Sequence, residues 1–156
     1  MFVFFAALFA GTFPAMQVQA ATWSVDGTLA LTSSYFPKLK ALRNVTFSID
    51  WDRQSNCKPT VNVYFMDGDE LGSFKSVKKA SERMRVKIGE KVWTGDTLLA
   101  EHSGGYAMVF YAQDDLVKKI PTASSIAVKV FTDAPWLDFD GRGSESALAR
   151  AKANCR

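Results

Sequence analysis

Two cysteines, Cys57 and Cys155, constrain this chain more than any other feature of its sequence. Cys57 stands at the mouth of a strand in mid-chain, and Cys155 closes an alanine-rich helix at the C-terminal end. Whether they can bridge depends on the compartment, and the N-terminus speaks to that. Residues 2–10 (FVFFAALFA) form an apolar run of the size of a leader h-region. A bilayer span needs about 20 such residues, so this run is too short to cross one. Val18-Gln19-Ala20 then places small residues at −3 and −1 of a cleavage site, so residues 1–20 are expected to be a signal peptide cut after Ala20. No Lys or Arg precedes the run, which departs from the usual leader. The alternative, a buried N-terminal helix, is opposed by Gly11 and Pro14 and by the lack of a polar face.

No lipobox cysteine follows, so the expected product is unanchored and periplasmic or secreted. In an oxidising compartment two cysteines are by default one disulfide, the alternative being free thiols. A Cys57–Cys155 bridge would close a loop of roughly a hundred residues and take about 4–5 kcal/mol of conformational entropy from the unfolded chain. Residues 21–156 are one ordinary domain with room for a core.

The rest of the chain reads as strands. Val45, Phe47, Ile49 and Trp51 alternate with Asn44, Thr46, Ser48 and Asp50, the pattern of a half-buried strand. Val61, Val63 and Phe65 repeat it after Cys57, with Pro59 restricting that element to a strand start or an edge. Met84, Val86 and Ile88 alternate with Arg83, Arg85 and Lys87, giving a strand with a cationic outer face. Shorter strands are expected around Val92-Trp93, over 97–101 and 106–112, over 125–131 and over 136–139. Asp26-Gly27 predicts a hairpin turn near the start, and residues 35–43, interrupted by Pro37, predict a connection. Residues 74–81 read as irregular. Asp114-Asp115 before Lys118-Lys119 and Pro121 predicts one short internal helix. A C-terminal helix is expected from Ser144 as its N-cap, with Ala147, Leu148, Ala151 and Cys155 on one buried stripe. Short strands at this spacing point to an antiparallel β-sandwich, here with a disulfide-linked C-terminal helix.

Several function classes lose their parts. The net charge of +3 is mild. No basic stripe interleaved with aromatics marks a nucleic-acid surface. After the leader, no run approaches a membrane span. The single histidine, His102, adjoins Ser103, and sequence neighbours do not supply the geometry of a nucleophile and its base. Asp138, Asp140 and Glu145 fail as a calcium loop because Ala149 would occupy the twelfth position. With the cysteines bridged and one histidine, no transition-metal cluster is expected, nor any cofactor. The reading is therefore a non-enzymatic binding protein with a protein partner.

The candidate contact is the hairpin tip over residues 102–105, where Ser103 and Gly104 precede Tyr106. Two bracing strands let such a tip reach a partner at little entropic cost. The plainer reading of the same residues is an ordinary glycine turn. Over residues 103–106 the chain resembles the SGxY loop of bacterial periplasmic inhibitors of invertebrate-type lysozyme. That resemblance implies that Ser103, Gly104 and Tyr106 enter a lysozyme cleft. A second resemblance rests on Cys57, Gly141 or Gly143, Ala147-Leu148 and Cys155. These positions are similar to those of TagO-like periplasmic accessory proteins of type VI secretion and of invasion-associated locus B proteins. It implies architecture, compartment and a secretion-system partner, and carries no active site.

Overall fold

A computed structural model describes residues 22–39, 42–66, 83–102, 105–132 and 134–155. The expected signal peptide, the irregular stretch at 74–81, and Ser103 and Gly104 of the hairpin tip lie outside the described residues. The described strands are β1 (Ser24–Asp26), β2 (Leu29–Tyr35), β3 (Asn44–Asp52), β4 (Lys58–Met66), β5 (Arg85–Ile88), β6 (Lys91–Thr94), β7 (Leu98–His102), β8 (Gly105–Tyr111), β9 (Ser125–Lys129) and β10 (Leu137–Asp140). Two helices accompany them, α1 (Asp114–Lys119) and α2 (Ser144–Asn154).

The strands form two antiparallel sheets, ordered β1-β2-β3-β4-β8-β7 and β10-β9-β5-β6. The alternation in β3 and β4 decides which way the larger sheet faces. Val45, Phe47 and Ile49 register with Phe65, Val63 and Val61, and all six are at most 1% exposed. From the smaller sheet, Val86, Ile126, Val128, Leu137 and Phe139 close the same core. The Phe47 and Phe139 rings meet across the sheets at 5.6 Å. The result is the expected antiparallel sandwich. Burying a side chain of this size is worth about 1.5–3 kcal/mol, so these paired rows supply most of the drive to fold.

The bridge forms as expected, with Cys57 and Cys155 Cα atoms 5.9 Å apart. Asp52 caps the 3-10 turn Arg53–Ser55 by accepting from the Gln54 N–H, and Asn56 and Cys57 then both take positive φ. That left-handed pair swings the chain back into β4 and presents Cys57 to the end of α2. Pro59 sits at the start of β4, where its missing N–H costs least. Ala147, Leu148, Ala151 and Cys155 are all buried, so the expected stripe is the contact face of α2.

Three local details differ from the sequence reading. Asp26 pairs with Leu29, so the first turn is Gly27-Thr28, not Asp26-Gly27. Only Gly27 of the two has positive φ, which is the type II′ pattern and suits the strand twist; Gly89-Glu90 repeats it between β5 and β6. Ser144 is the first residue of α2 rather than its cap; Gly143 occupies that position at φ 83°. The reason is burial: the Ser144 hydroxyl is enclosed and donates to the Ile120 carbonyl at 3.2 Å. Finally, His102 pairs with Gly105, so β7 and β8 run closer to the tip than a four-residue loop allows.

Candidate functional site

An open concavity lies at one end of the six-stranded sheet. It has a volume of about 390 Å³ and is lined by residues of four adjacent strands: the end of β2, the start of β3, the end of β4 and the start of β8. Strand alternation builds it. Because Val45 and Phe65 point into the core, Asn44, Thr46 and Tyr64 must point out. Register then sets Tyr35 opposite Asn44, and Ser33 opposite Thr46, which is itself opposite Tyr64. The small side chains of β3 become the floor, and the two tyrosines, on strands either side, become the walls.

The chemistry of this trough is uniform. Ser33 and Thr46 share a hydrogen bond between hydroxyls at 2.7 Å. Tyr35 is 60% exposed. Burial, and secondarily the Asp50 carboxylate, pushes the Tyr64 phenol above its ordinary pKa, so it stays a neutral hydroxyl. None of the lining residues carries a carboxylate, an amine or an imidazole. Such a surface offers hydroxyl and amide hydrogen bonds and aromatic faces to a neutral partner segment.

A second hollow, at the far end of the sheet, is lined by Gly27, Thr28, Asp52, Arg53, Gln54 and Asn154. Its polar groups are already engaged with one another: the Arg53 guanidinium donates to the Asn154 carbonyl, and the Asn154 amide to the Gly27 carbonyl, each at 2.7 Å. Their role is to moor the end of α2 beside the disulfide.

The residues singled out by sequence divide between these regions. Tyr106 belongs to the trough end, but its ring is only 9% exposed and stacks on Phe65 at 6.1 Å. It underlies the trough from the core side. Gly105 lies on the rim, and Ser103 and Gly104 are outside the described residues. Cys57 and Cys155 are at the opposite end of β3 and β4, roughly 25 Å away at strand rise. Among the described residues no group of three His, Cys, Asp or Glu side chains could hold a metal ion. Also among them, no helix is long and apolar enough to cross a membrane. Sequence reading missed Tyr35, Asn44, Thr46 and Tyr64. Alternation marks Asn44 and Thr46 only as the polar face of a strand, and pairing with β2 and β4 flanks them with tyrosines.

The fold is a disulfide-tied β-sandwich with an open trough at one end of its larger sheet. No family model matches the chain, and no curated protein matches it. Among solved structures, it is similar to invasion associated protein B from Bartonella henselae. The two share 13% sequence identity over 86% of this chain and 94% of the other, with a TM-score of 0.53. That likeness shows the fold.

Proposed function

We propose that this chain is an exported, non-enzymatic binding or accessory protein of the bacterial periplasm that acts through protein–protein contacts. The trough is its docking surface. The observation that carries this reading is the composition of the trough: hydroxyls, an amide and two tyrosine walls, without an acid–base pair among the lining residues. Tyrosine suits such a role, since it brings large contact area at low conformational cost. The bridged cysteines support an oxidising compartment.

The test is site-specific photo-crosslinking in the producing cell. A photo-reactive phenylalanine analogue at position 35 should give a discrete higher-mass adduct, and Thr46→Arg in the trough floor should abolish it. The same probe at position 118 on α1 should give none. Equal adducts from both positions, or none from either, would sink the proposal.

A second reading is favoured by the tight β7–β8 hairpin, whose pairing runs up to His102 and Gly105. It is a lysozyme inhibitor that inserts this tip, with Ser103 as the contacting hydroxyl. Here Tyr106 would brace the tip from the core rather than enter the cleft. Assays on chicken-, goose- and invertebrate-type lysozymes decide it. Ser103→Ala should weaken inhibition at least about tenfold, the effect of one hydrogen bond to a charged group. Full activity of all three lysozymes discards it.

A further inference from the structure

The outer face of the four-stranded sheet carries a cluster that the trough does not use. Val86, Val128 and Leu137 turn into the core, so their strand neighbours Arg85, Lys87, Lys129 and Trp136 turn outward. Arg85 is directly opposite Lys129 across β5 and β9. Like charges so placed, with Cβ atoms about 5 Å apart, repel and destabilise the pair of strands. Lys87 follows two residues along β5, and its ammonium lies 6.0 Å from the centroid of the Trp136 ring.

Neighbouring cations are neutralised within the protein. Arg83 pairs with Asp96 at 3.4 Å, Lys91 with Asp115, and Arg142 with Asp140. Arg85, Lys87 and Lys129 take part in none of the ion pairs among the described residues. An acid shares this face: Asp138, on β10 opposite Ala127 and two residues from Trp136. Two large apolar side chains are exposed on the same face, Trp136 at 37% and Val92 at 45%.

We propose that this face docks on an anionic phospholipid surface. The cations and Trp136 project from one face of one sheet, so one extended surface can meet them together. Lysine and arginine supply attraction to acidic headgroups. Tryptophan, with an apolar body and a polar N–H, settles at the headgroup level. Repulsion between Arg85 and Lys129 is relieved when phosphates sit between them. The trough opens on the outer face of the other sheet, so the protein can lie on lipid while its docking surface stays free.

The experiment is co-sedimentation of the protein with vesicles of equimolar phosphatidylglycerol and phosphatidylcholine, against vesicles of phosphatidylcholine alone. Binding to the anionic vesicles only, weakening as salt rises, is expected. The triple variant Arg85→Gln, Lys87→Gln, Lys129→Gln should lower partitioning roughly a hundredfold, at about fivefold per charge. Trp136→Ala should lower it severalfold. A control with the same loss of net charge, Lys118→Gln, Lys119→Gln, Lys152→Gln, should stay close to the parent. Thermal unfolding should show all variants folded, since the first triple substitution relieves repulsion. The proposal is overturned by no binding to anionic vesicles, or by equal losses in the two triple variants. It is also overturned if poly-L-glutamate binds this face while vesicles do not, which would assign it to an acidic protein instead.

Discussion

Opening the Cys57–Cys155 bridge tests the architecture most directly. The two residues are 98 apart in sequence, and a loop of that length withholds about 4.7 kcal/mol of entropy from the unfolded chain. Domains of this class are stable by roughly 5–15 kcal/mol, so the bridge accounts for a third or more of the total. The local contacts around it are too few to compensate. The end of α2 keeps the two hydrogen bonds that join Arg53, Asn154 and Gly27, worth about 1 kcal/mol each, and the burial of Ala147, Leu148 and Ala151. With an unfolding entropy of about 2.1 cal/mol/K per residue, the loss converts to a fall in Tm of roughly 15 °C. Circular dichroism melts of the parent and of Cys57→Ser, Cys155→Ser, each with and without reductant, measure it. Reductant should lower the parent to the level of the double variant and leave the double variant unchanged. A fall of less than about 3 °C would refute the loop-entropy argument.

Four further outcomes are expected. Gly141→Ala should cost about 2–3 kcal/mol in denaturant unfolding, because a Cβ there would lie 2.1 Å from the Ala123 carbonyl oxygen, which is backbone and cannot step aside. Gly143→Ala, with open space around it but φ at +83°, should cost only about 1 kcal/mol. Thr32→Val should raise stability by about 1 kcal/mol, read as a rise in Tm, since the Thr32 hydroxyl is buried without a hydrogen-bond partner. At low pH the Asp115 carboxyl matters. Hydrogen bonds from Lys91 and then from the Trp93 indole hold it below the usual carboxylate range. Its contribution is thus complete above the ordinary carboxylate pKa and disappears as pH falls through the depressed value. Stability of Asp115→Asn should therefore fall less steeply between neutral and acid pH than that of the parent, as an acid titration followed by fluorescence will show.

Much of this architecture is written in the order of residues, because period-two alternation is a local property. Val45, Phe47, Ile49 and Trp51, and then Val61, Val63 and Phe65, could be assigned to a buried face without knowing their partners, and each is buried. The cysteine pair was legible for a simpler reason: two cysteines allow one intramolecular pairing, and that bridge forms. The stripe on α2 followed from helical spacing alone. What tertiary structure decided is everything that depends on which strand lies beside which. The walls of the trough, Tyr35 and Tyr64, are 29 residues apart in sequence and come to flank β3 only through register. Tyr106 is legible in sequence only as the aromatic at the base of a loop, and pairing up to His102 and Gly105 sets its ring on Phe65. Arg85 and Lys129 become neighbours by the same means. A chain specifies which side of each strand is apolar by local alternation, whereas the company kept by its polar side is set by long-range pairing, and the surfaces available for binding are made there.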